Sequence, residues 1–290
     1  MKKSTITKSH IGAIALLKQA ISTFFEHKEI LFPFCITAFI QLLFLEILYF
    51  YPRYPLNIFF GPLVRRKSEL YMHYPFNFIY LPELYQYVQI FVYIFISVYF
   101  IGVAVAIIQS INSGEKIQIK QAFQKSSSVY VHLVLSSLLA FGLVMWLFRL
   151  TKLLILRAMQ IRSTTGIFFM LKKSVILGAP YLNLIFSILV TVIFLYVIPI
   201  IVIEKKKIFS AIYINFKLLF RSLRLSFVVV FIPTLIYVPV LMLRGILDSG
   251  IFPPEMRVMI MVLGIMVMIF IDAAIYTSST IFYLINKEKS

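Results

Sequence analysis

Long apolar runs separated by short polar segments are the dominant pattern of this chain. A hydrocarbon core about 30 Å thick needs roughly 20 apolar residues in a helix. Six windows are that long, at about 30–50, 88–108, 130–148, 182–203, 225–243 and 258–284. They are apolar on every side, whereas strands of a membrane barrel alternate apolar and polar positions. The pattern predicts an all-α fold, a polytopic bundle of about six transmembrane helices forming one domain over residues 1–290.

Amphipathic segments precede the first, third and fifth predicted spans. Residues 7–28, 117–127 and 205–224 each place apolar side chains on one helical face and polar side chains on another. They share a short pattern: Lys18-Gln19-Ala20-Ile21, Lys120-Gln121-Ala122-Phe123 and Ser210-Ala211-Ile212. Internal repeats are common in membrane bundles, although chance similarity between amphipathic helices is the alternative. We therefore predict interfacial helices and a threefold repeat of one such helix followed by a transmembrane hairpin.

The amino-acid composition indicates what kind of molecule the protein binds. The chain is 61 % hydrophobic and only 13 % charged, with a mean hydropathy of +0.95. Soluble domains carry about 25 % charged residues. The net charge is +17, which in a soluble chain would suggest nucleic acid. Here the cations lie between apolar runs, where anionic lipid head groups supply the counter-charge. Membrane lipid, and not nucleic acid, is the expected partner.

The distribution of cations predicts an orientation. With six spans, 16 of the 28 Lys and Arg residues fall on the side of the two termini. An excess of cations marks the cytoplasmic side, so both termini and the amphipathic segment 1–29 are placed in the cytoplasm. The basic connection 149–181 opposes this bias. Its apolar content indicates that it lies in the interface or re-enters the bundle.

The densest basic stripe lies before the fifth span. Lys217, Arg221 and Arg224 share one face of the amphipathic segment, which follows a run of three lysines. Each cation near an anionic bilayer contributes about 1 kcal/mol to binding. The helix either lies flat on the cytoplasmic leaflet or packs under the bundle. The candidate contacts with anionic lipid are Lys205, Lys206, Lys207, Lys217, Arg221 and Arg224.

Asp272 is the most unusual single residue, because it lies midway along the last apolar run. An ionised carboxylate at that depth costs at least a few kcal/mol, so it must be paired, protonated or beside water. One interpretation is a proton or cation site in a transport path, lined further by Thr277 to Thr280. Glu46 in the first span is a further candidate. The other interpretation is an interhelical hydrogen bond that only joins helices.

Prolines at positions 33, 180, 199, 233 and 239 fall within the predicted spans or beside them. Proline lacks a backbone donor, so it can kink or break a helix and release carbonyl groups for a ligand. Ordinary membrane helices also contain proline. The alternative is that these residues bend helices without any ligand.

Motifs of catalysis and of cofactor binding are missing from the sequence. The four histidines have no i,i+4 pairing, and the single Cys35 excludes a thiolate cluster. The sequence has no glycine-rich phosphate loop, nucleophile elbow or Walker-type lysine. We predict a protein that is not an enzyme and needs no cofactor or metal. An intramembrane enzyme would require Asp272 to meet a second carboxylate or a histidine in the fold.

The stretch from Pro199 to Ile212, continuing to Leu219, combines a proline, an apolar run, a glutamate, a turn and a helix. It resembles a group of bacterial six-helix membrane proteins that includes the membrane domain of some glycerophosphodiester phosphodiesterases. Lys206 and Lys207 stand where that group has a glycine turn. The resemblance implies the architecture and a bacterial cytoplasmic (inner) membrane, and it implies no catalytic residue.

Two functions follow from these observations. The first is a non-enzymatic accessory or scaffold protein that organises lipid or a partner in the membrane. The alternative is a small-solute or proton-coupled permease or channel that uses Asp272. They differ in one structural feature: a permease needs Asp272 to face a solvated cavity, whereas a scaffold needs only a dry helix contact.

Overall fold

A computed structural model describes residues 12–115, 118–160, 166–247 and 252–288. These ranges are almost entirely helical and contain no strand, which confirms the predicted all-α fold. In chain order the helices are α1 (Ala13–Glu26), α2 (Leu31–Tyr49), α3 (Leu56–Arg65), α4 (Phe76–Phe91), α5 (Val98–Asn112), α6 (Ile119–Ser128), α7 (Tyr130–Met159), α8 (Gly166–Phe194), α9 (Val197–Glu204), α10 (Ile208–Arg221), α11 (Leu223–Leu235), α12 (Val238–Leu247) and α13 (Met256–Lys287). Single turns of 3-10 helix lie at Lys28–Ile30 and Glu69–Met72, and a π-helical segment at Val92–Ser97 joins α4 to α5.

Five helical runs are long and apolar enough to cross a membrane. They are Lys28–Tyr49, Phe76–Asn112, Tyr130–Met159, Lys172–Glu204 and Met256–Lys287. The sixth candidate is not one long helix: α10 and α11 pass the same test only together, they meet at 95°, and the short apolar helix α12 follows α11. The chain is therefore a multi-pass membrane protein with five or six crossings.

The elements repeat three times around the bundle. Each unit begins with an amphipathic helix (α1, α6 or α10), followed by a hairpin of two crossings. Each amphipathic helix packs against the last helix of the preceding unit: α6 against α5, α10 against α9, and α1 against α13. The contact between α1 and α13 closes the ring. This arrangement matches the repeat predicted from the sequence.

The crossings follow the same cyclic rule. The first crossing of each unit contacts two second crossings: that of its own unit and that of the preceding unit. Thus α2 contacts α5 and α13, α7 contacts α8 and α5, and α11 contacts α13 and α8. The helices α5, α9 and α13 contact one another at the centre. We call the end of the bundle that carries α1, α6 and α10 the basic face, and the opposite end the far face.

The alanines of the shared pattern have a common role. Ala20, Ala122 and Ala211 are each at most 6 % exposed and belong to the largest hydrophobic cluster of the bundle. A small side chain lets an amphipathic helix approach the crossing beneath it closely. The pattern therefore marks the contact line between each amphipathic helix and the central crossings.

Two prolines explain two breaks in the crossings. The ring of a helical proline collides with the carbonyl group four residues earlier and removes one hydrogen bond. Pro199 stands four residues after Leu195, where α8 gives way to α9. Pro239 stands four residues after Leu235, the last residue of α11. The predicted span 225–243 consequently consists of two helices with a break at 236–237, as the interpretation of its prolines as helix breakers allows.

Two predicted connections are largely helical. In the connection 149–181, α7 continues to Met159 and α8 begins at Gly166, so both crossings extend into one long hairpin. A 30-residue helix such as α7 is about 45 Å long, more than the hydrocarbon core requires. The segment 51–87, which connects the first two predicted spans and is rich in Tyr, Phe and Pro, folds into α3, a 3-10 turn and most of α4. Here the helices do not end where the apolar windows end.

Candidate functional site

A cavity of about 470 Å³ lies inside the bundle. Side chains of α4, the π-helical segment, α5, α7, α8, α9, α11, α12 and α13 line it, together with Tyr237 between α11 and α12. All three repeat units therefore contribute to its wall. Most of the wall is apolar, with polar groups placed singly along several helices. That combination is typical of a small-molecule site.

Asp272 faces this cavity from α13. Its side chain is half-buried, because part of its surface borders the cavity rather than a neighbouring helix. The Tyr93 hydroxyl lies 3.3 Å from Oδ1 and 3.5 Å from Oδ2, and it donates to the carboxylate. Among the described residues no Lys, Arg or His forms an ion pair with Asp272. Asp272 thus has one neutral hydrogen-bond donor and remains accessible to a ligand.

Tyr93 owes its position to an irregular turn. It lies in the π-helical segment Val92–Ser97, where the wider winding rotates side chains relative to a regular α-helix. The Tyr130 hydroxyl donates to the Phe95 carbonyl at 3.0 Å, within the same segment. Short π-helical insertions are frequent at functional sites. The segment brings Tyr93 and Asp272 together although 179 residues separate them.

Arg244 lines the same cavity from α12. A Cβ atom added to Gly264 would lie 3.2 Å from an Arg244 guanidinium nitrogen, so this glycine lets the arginine lie over α13. The guanidinium group also lies 5.7 Å from the centre of the Tyr237 ring. Gly264 precedes Asp272 by eight residues, or about 12 Å along a helix. The cavity therefore has a carboxylate and a guanidinium group at different depths.

A polar stripe on α8 forms another wall. Asn183, Ser187 and Thr191 recur at a spacing of four and all line the cavity. Ser187 donates to the Asn183 carbonyl at 3.0 Å, and Thr191 donates to the Ser187 carbonyl at 2.9 Å. The Asn183 side-chain oxygen is buried and accepts no hydrogen bond within the described part of the chain. It can accept one from a ligand or a water molecule in the cavity.

The arrangement suits a positively charged or protonated group. Aromatic side chains line the same cavity as the carboxylate, among them Phe141, Phe194 and Tyr276. Aromatic faces attract cations, and the attraction strengthens where water is excluded. A lone carboxylate in a membrane interior is stabilised by a proton or by a cation. The site can therefore bind a proton, or a cationic group, at Asp272.

The other two residues of the predicted intramembrane site lie elsewhere. Thr277 is completely buried and does not line the cavity. The next three residues, Ser278, Ser279 and Thr280, are at most 1 % exposed. They lie on the part of α13 that contributes to the largest hydrophobic cluster of the bundle. Thr280 donates to the Tyr276 carbonyl at 2.6 Å. Glu46 is exposed on α2, away from the cavity. The structure thus brings neither Thr277 nor Glu46 to Asp272.

The predicted contacts with anionic lipid are all solvent- or lipid-accessible. The exposed residues are Lys205, Lys206, Lys207, Lys217, Arg221 and Arg224. The amphipathic pattern predicts an apolar face with Ile208, Ile212, Phe216 and Leu219. The structure buries Ile208 and Leu219 of that face, together with Ala211 and Asn215. Phe216, assigned to the apolar face, is 38 % exposed. The polar Asn215 replaces it in the interior because its side chain binds the backbone break between α8 and α9.

Sequence reasoning did not identify most residues of the cavity. The stripe Asn183, Ser187 and Thr191 was recognisable, because its spacing of four places three polar groups on one face of an apolar helix. Tyr93 and Arg244 had no such signal. Tyr93 depends on the π-helical turn, and Arg244 lay in a connection between two predicted spans.

Metal binding finds no geometric support in the described residues, which contain no group of three His, Cys, Asp or Glu side chains close enough to hold an ion. Comparisons with known proteins do not add a function. No protein-family model, curated protein or solved structure matches this chain.

Proposed function

We propose that this protein is a small-solute or proton-coupled permease of a bacterial inner membrane, with Asp272 as its proton- or cation-binding group. The observation that supports the proposal is the position of Asp272 on the wall of a cavity of about 470 Å³. A residue that only joined helices would have no reason to keep its carboxylate accessible. The proposal gives the protein no catalytic activity and no cofactor.

Irregular helices around the cavity support the same proposal. Three segments that line it depart from a regular α-helix: the π-helical segment with Tyr93, the α8–α9 break beside Phe194 and Val197, and the α11–α12 break at Tyr237. Membrane transporters commonly place substrate and ion sites at discontinuous helices near the middle of the bilayer. Released backbone groups and a changeable helix geometry can serve binding and movement there.

An accessory or scaffold role is the second candidate, and the exposed basic and aromatic surface of α10 favours it. Phe209 and Phe220 are 80 % and 76 % exposed, next to a row of exposed cations. A helix of that composition lies in the interface of an anionic leaflet. We place this surface, and both termini, on the cytoplasmic side, in accordance with the excess of cations. The resemblance to the six-helix membrane proteins is compatible with either role.

Infrared difference spectroscopy and flux measurements on reconstituted protein test the permease. In proteoliposomes we expect the carboxyl stretch of the wild-type protein to change reversibly with pH and on addition of tetraethylammonium. We expect the Asp272→Asn protein to lack that change. Uptake of tetraethylammonium or of protons, driven by a potassium diffusion potential, should fall at least tenfold in Asp272→Asn, because an amide cannot take a proton or neutralise a cation.

Glu46→Gln is the matched control, since it makes the same carboxylate-to-amide change on an exposed position outside the cavity. It should retain the carboxyl signal and the uptake of the wild-type protein. A carboxyl band that is silent to pH and cation, or equal uptake by the wild-type and Asp272→Asn proteins, would overturn the permease and leave the scaffold role.

A further inference from the structure

A second pocket, of about 320 Å³, lies on the basic face between α10 and the end of α13. It is separate from the cavity that contains Asp272, and the two share no lining residue. Its polar lining comes from two helices of the third repeat unit and from the end of α9. These polar side chains are Glu204, Tyr213, Lys217, Arg221, Tyr283 and Lys287, with Asn286 beside them.

Three cations converge on this pocket. Lys217 and Arg221 are one turn apart on α10, and Lys287 approaches from the end of α13. Both Lys217 and Arg221 are exposed, and neither makes an ion pair with another described residue. An arginine beside a lysine combines a forked donor with a mobile point charge, a pairing suited to phosphate oxygens.

The only carboxylate lining the pocket is already engaged within the protein. Glu204 accepts a hydrogen bond from the Tyr283 hydroxyl, and its Oε1 atom lies 3.7 Å from Lys287 Nζ. Its Oε1 atom is thus oriented towards α13. Three cations against one carboxylate leave the pocket with an excess of positive charge.

The surroundings add to the positive potential. Lys125 on α6 donates to Gln109 Oε1 at 2.6 Å. Burial lowers the pKa of Lys125, the positive charges of Lys205 and Lys287 lower it further, and the negative charge of Glu115 raises it. The Lys125 ammonium on α6 is therefore near enough to be repelled by Lys205, directly after α9, and by Lys287 on α13. An anion bound in the pocket would relieve that repulsion.

The pocket borders an apolar surface that fits a bilayer. Tyr213 lines the pocket and is 73 % exposed. It belongs to a row of positions at a spacing of four that begins at Phe209 and continues with Lys217 and Arg221. Phe220 lies about three turns after Phe209 on nearly the same face of α10, and both rings are strongly exposed. A ligand with an anionic head group and an apolar tail could bind the pocket with its head group and contact the exposed aromatic side chains of α10 with its tail.

From this geometry we infer that the pocket binds a phosphate group, through Lys217, Arg221 and Lys287. The group is carried by a membrane phospholipid or by a soluble phosphate ester. A phosphate group suits an arginine beside a lysine, because its charged oxygens can accept from the guanidinium fork and from an ammonium group together. The inference does not rest on the permease and concerns a different part of the molecule.

Binding to the full-length protein tests this inference in two arms. In the lipid arm, native mass spectrometry of detergent-purified protein follows titration with phosphatidylglycerol. In the soluble arm, calorimetry follows titration with inorganic phosphate and with glycerol 3-phosphate. The arm in which the wild-type protein binds identifies the source of the phosphate. In that arm we expect the variant K217Q/R221Q to bind at least tenfold more weakly than the wild-type protein.

The variant K206Q/K207Q is the charge-matched control, since it removes two exposed cations of the same face that do not line the pocket. It should change affinity less than threefold. Equal losses in both double variants would reduce the effect to general surface charge and overturn the inference. So would the absence of wild-type binding in both arms. Matching thermal unfolding of the three proteins verifies that the variants are folded.

Discussion

Gly102 on α5 packs against both α6 and α7. A Cβ atom at this position would lie 2.5 Å from Ser126 Oγ and 2.9 Å from Leu133 Cδ1. Both neighbours are completely buried, and Ser126 Oγ also donates to the Tyr99 carbonyl at 2.8 Å. A methyl group could be accommodated only by moving the serine from its acceptor or by separating the helices.

Gly102→Ala should therefore destabilise the bundle by about 1–3 kcal/mol, the usual cost of overpacking a well-packed interior. The measurement is thermal unfolding in detergent, followed by the loss of the monodisperse protein on size exclusion. Gly142→Ala is the control, because no atom lies within 4 Å of its added Cβ. It should be neutral or slightly stabilising, as alanine favours a helix. Equal stability of Gly102→Ala and the wild-type protein would refute the close contact.

The residue scale also shows what the sequence can identify in a membrane site. Asp272 was recognisable, because the cost of a carboxylate in hydrocarbon makes any such residue exceptional. Thr277 was less informative, because the sequence shows a run of four small hydroxyl residues and not which of them finds a partner: Thr280 donates to the Tyr276 carbonyl, whereas the buried Thr277 hydroxyl has no hydrogen-bond partner among the described residues. The partner Tyr93 required the tertiary structure, since nothing in its local sequence distinguishes it from sixteen other tyrosines.

At the scale of helices, the break between α8 and α9 is held by a side chain of α10. Asn215 is 1 % exposed and makes two hydrogen bonds to the break. Its Oδ1 atom accepts from the Tyr196 backbone N–H at 3.0 Å, and its Nδ2 atom donates to the Ile193 carbonyl at 2.7 Å. The amide thus supplies the partners that the interrupted helix cannot provide for itself.

Asn215→Leu should destabilise the protein by about 1–3 kcal/mol for each backbone group left unpaired, because the leucine retains the volume but offers no partner. Thermal unfolding in detergent measures the change, with Ser210→Ala on the exposed face of α10 as the control. If the permease proposal holds, uptake should also fall, since the break borders the cavity at Phe194 and Val197. An Asn215→Leu protein as stable as Ser210→Ala would show that the break does not depend on α10.

At the scale of the whole molecule, the threefold ring fixes which segments share a side of the membrane. With six crossings, every unit returns to the basic face after two of them, and α1, α6 and α10 then lie on one side. The connection between α3 and the following 3-10 turn must lie on the other. The topology follows from the even number of crossings in each unit and does not depend on the count of cations.

Single cysteines report that topology. In a Cys35→Ser background, Ser22→Cys, Gln124→Cys and Ser210→Cys place exposed thiols on α1, α6 and α10, and Arg66→Cys places one after α3. A membrane-impermeant maleimide should label the first three from one side only and Arg66→Cys from the opposite side. Labelling of any of the three together with Arg66→Cys would contradict the ring. Reaction of the three in inverted vesicles would support cytoplasmic termini.

The sequence by itself determined the membrane class, the helical fold and most of the crossings, because the thickness of the bilayer fixes how long an apolar helix must be. It also indicated the threefold order, since a short pattern around an alanine recurs in each amphipathic segment. It could not define the cavity, whose wall combines side chains from all three units, or the meeting of Asp272 with Tyr93 across 179 residues. Those features depend on how the crossings pack and where they break, and only the tertiary structure decides both.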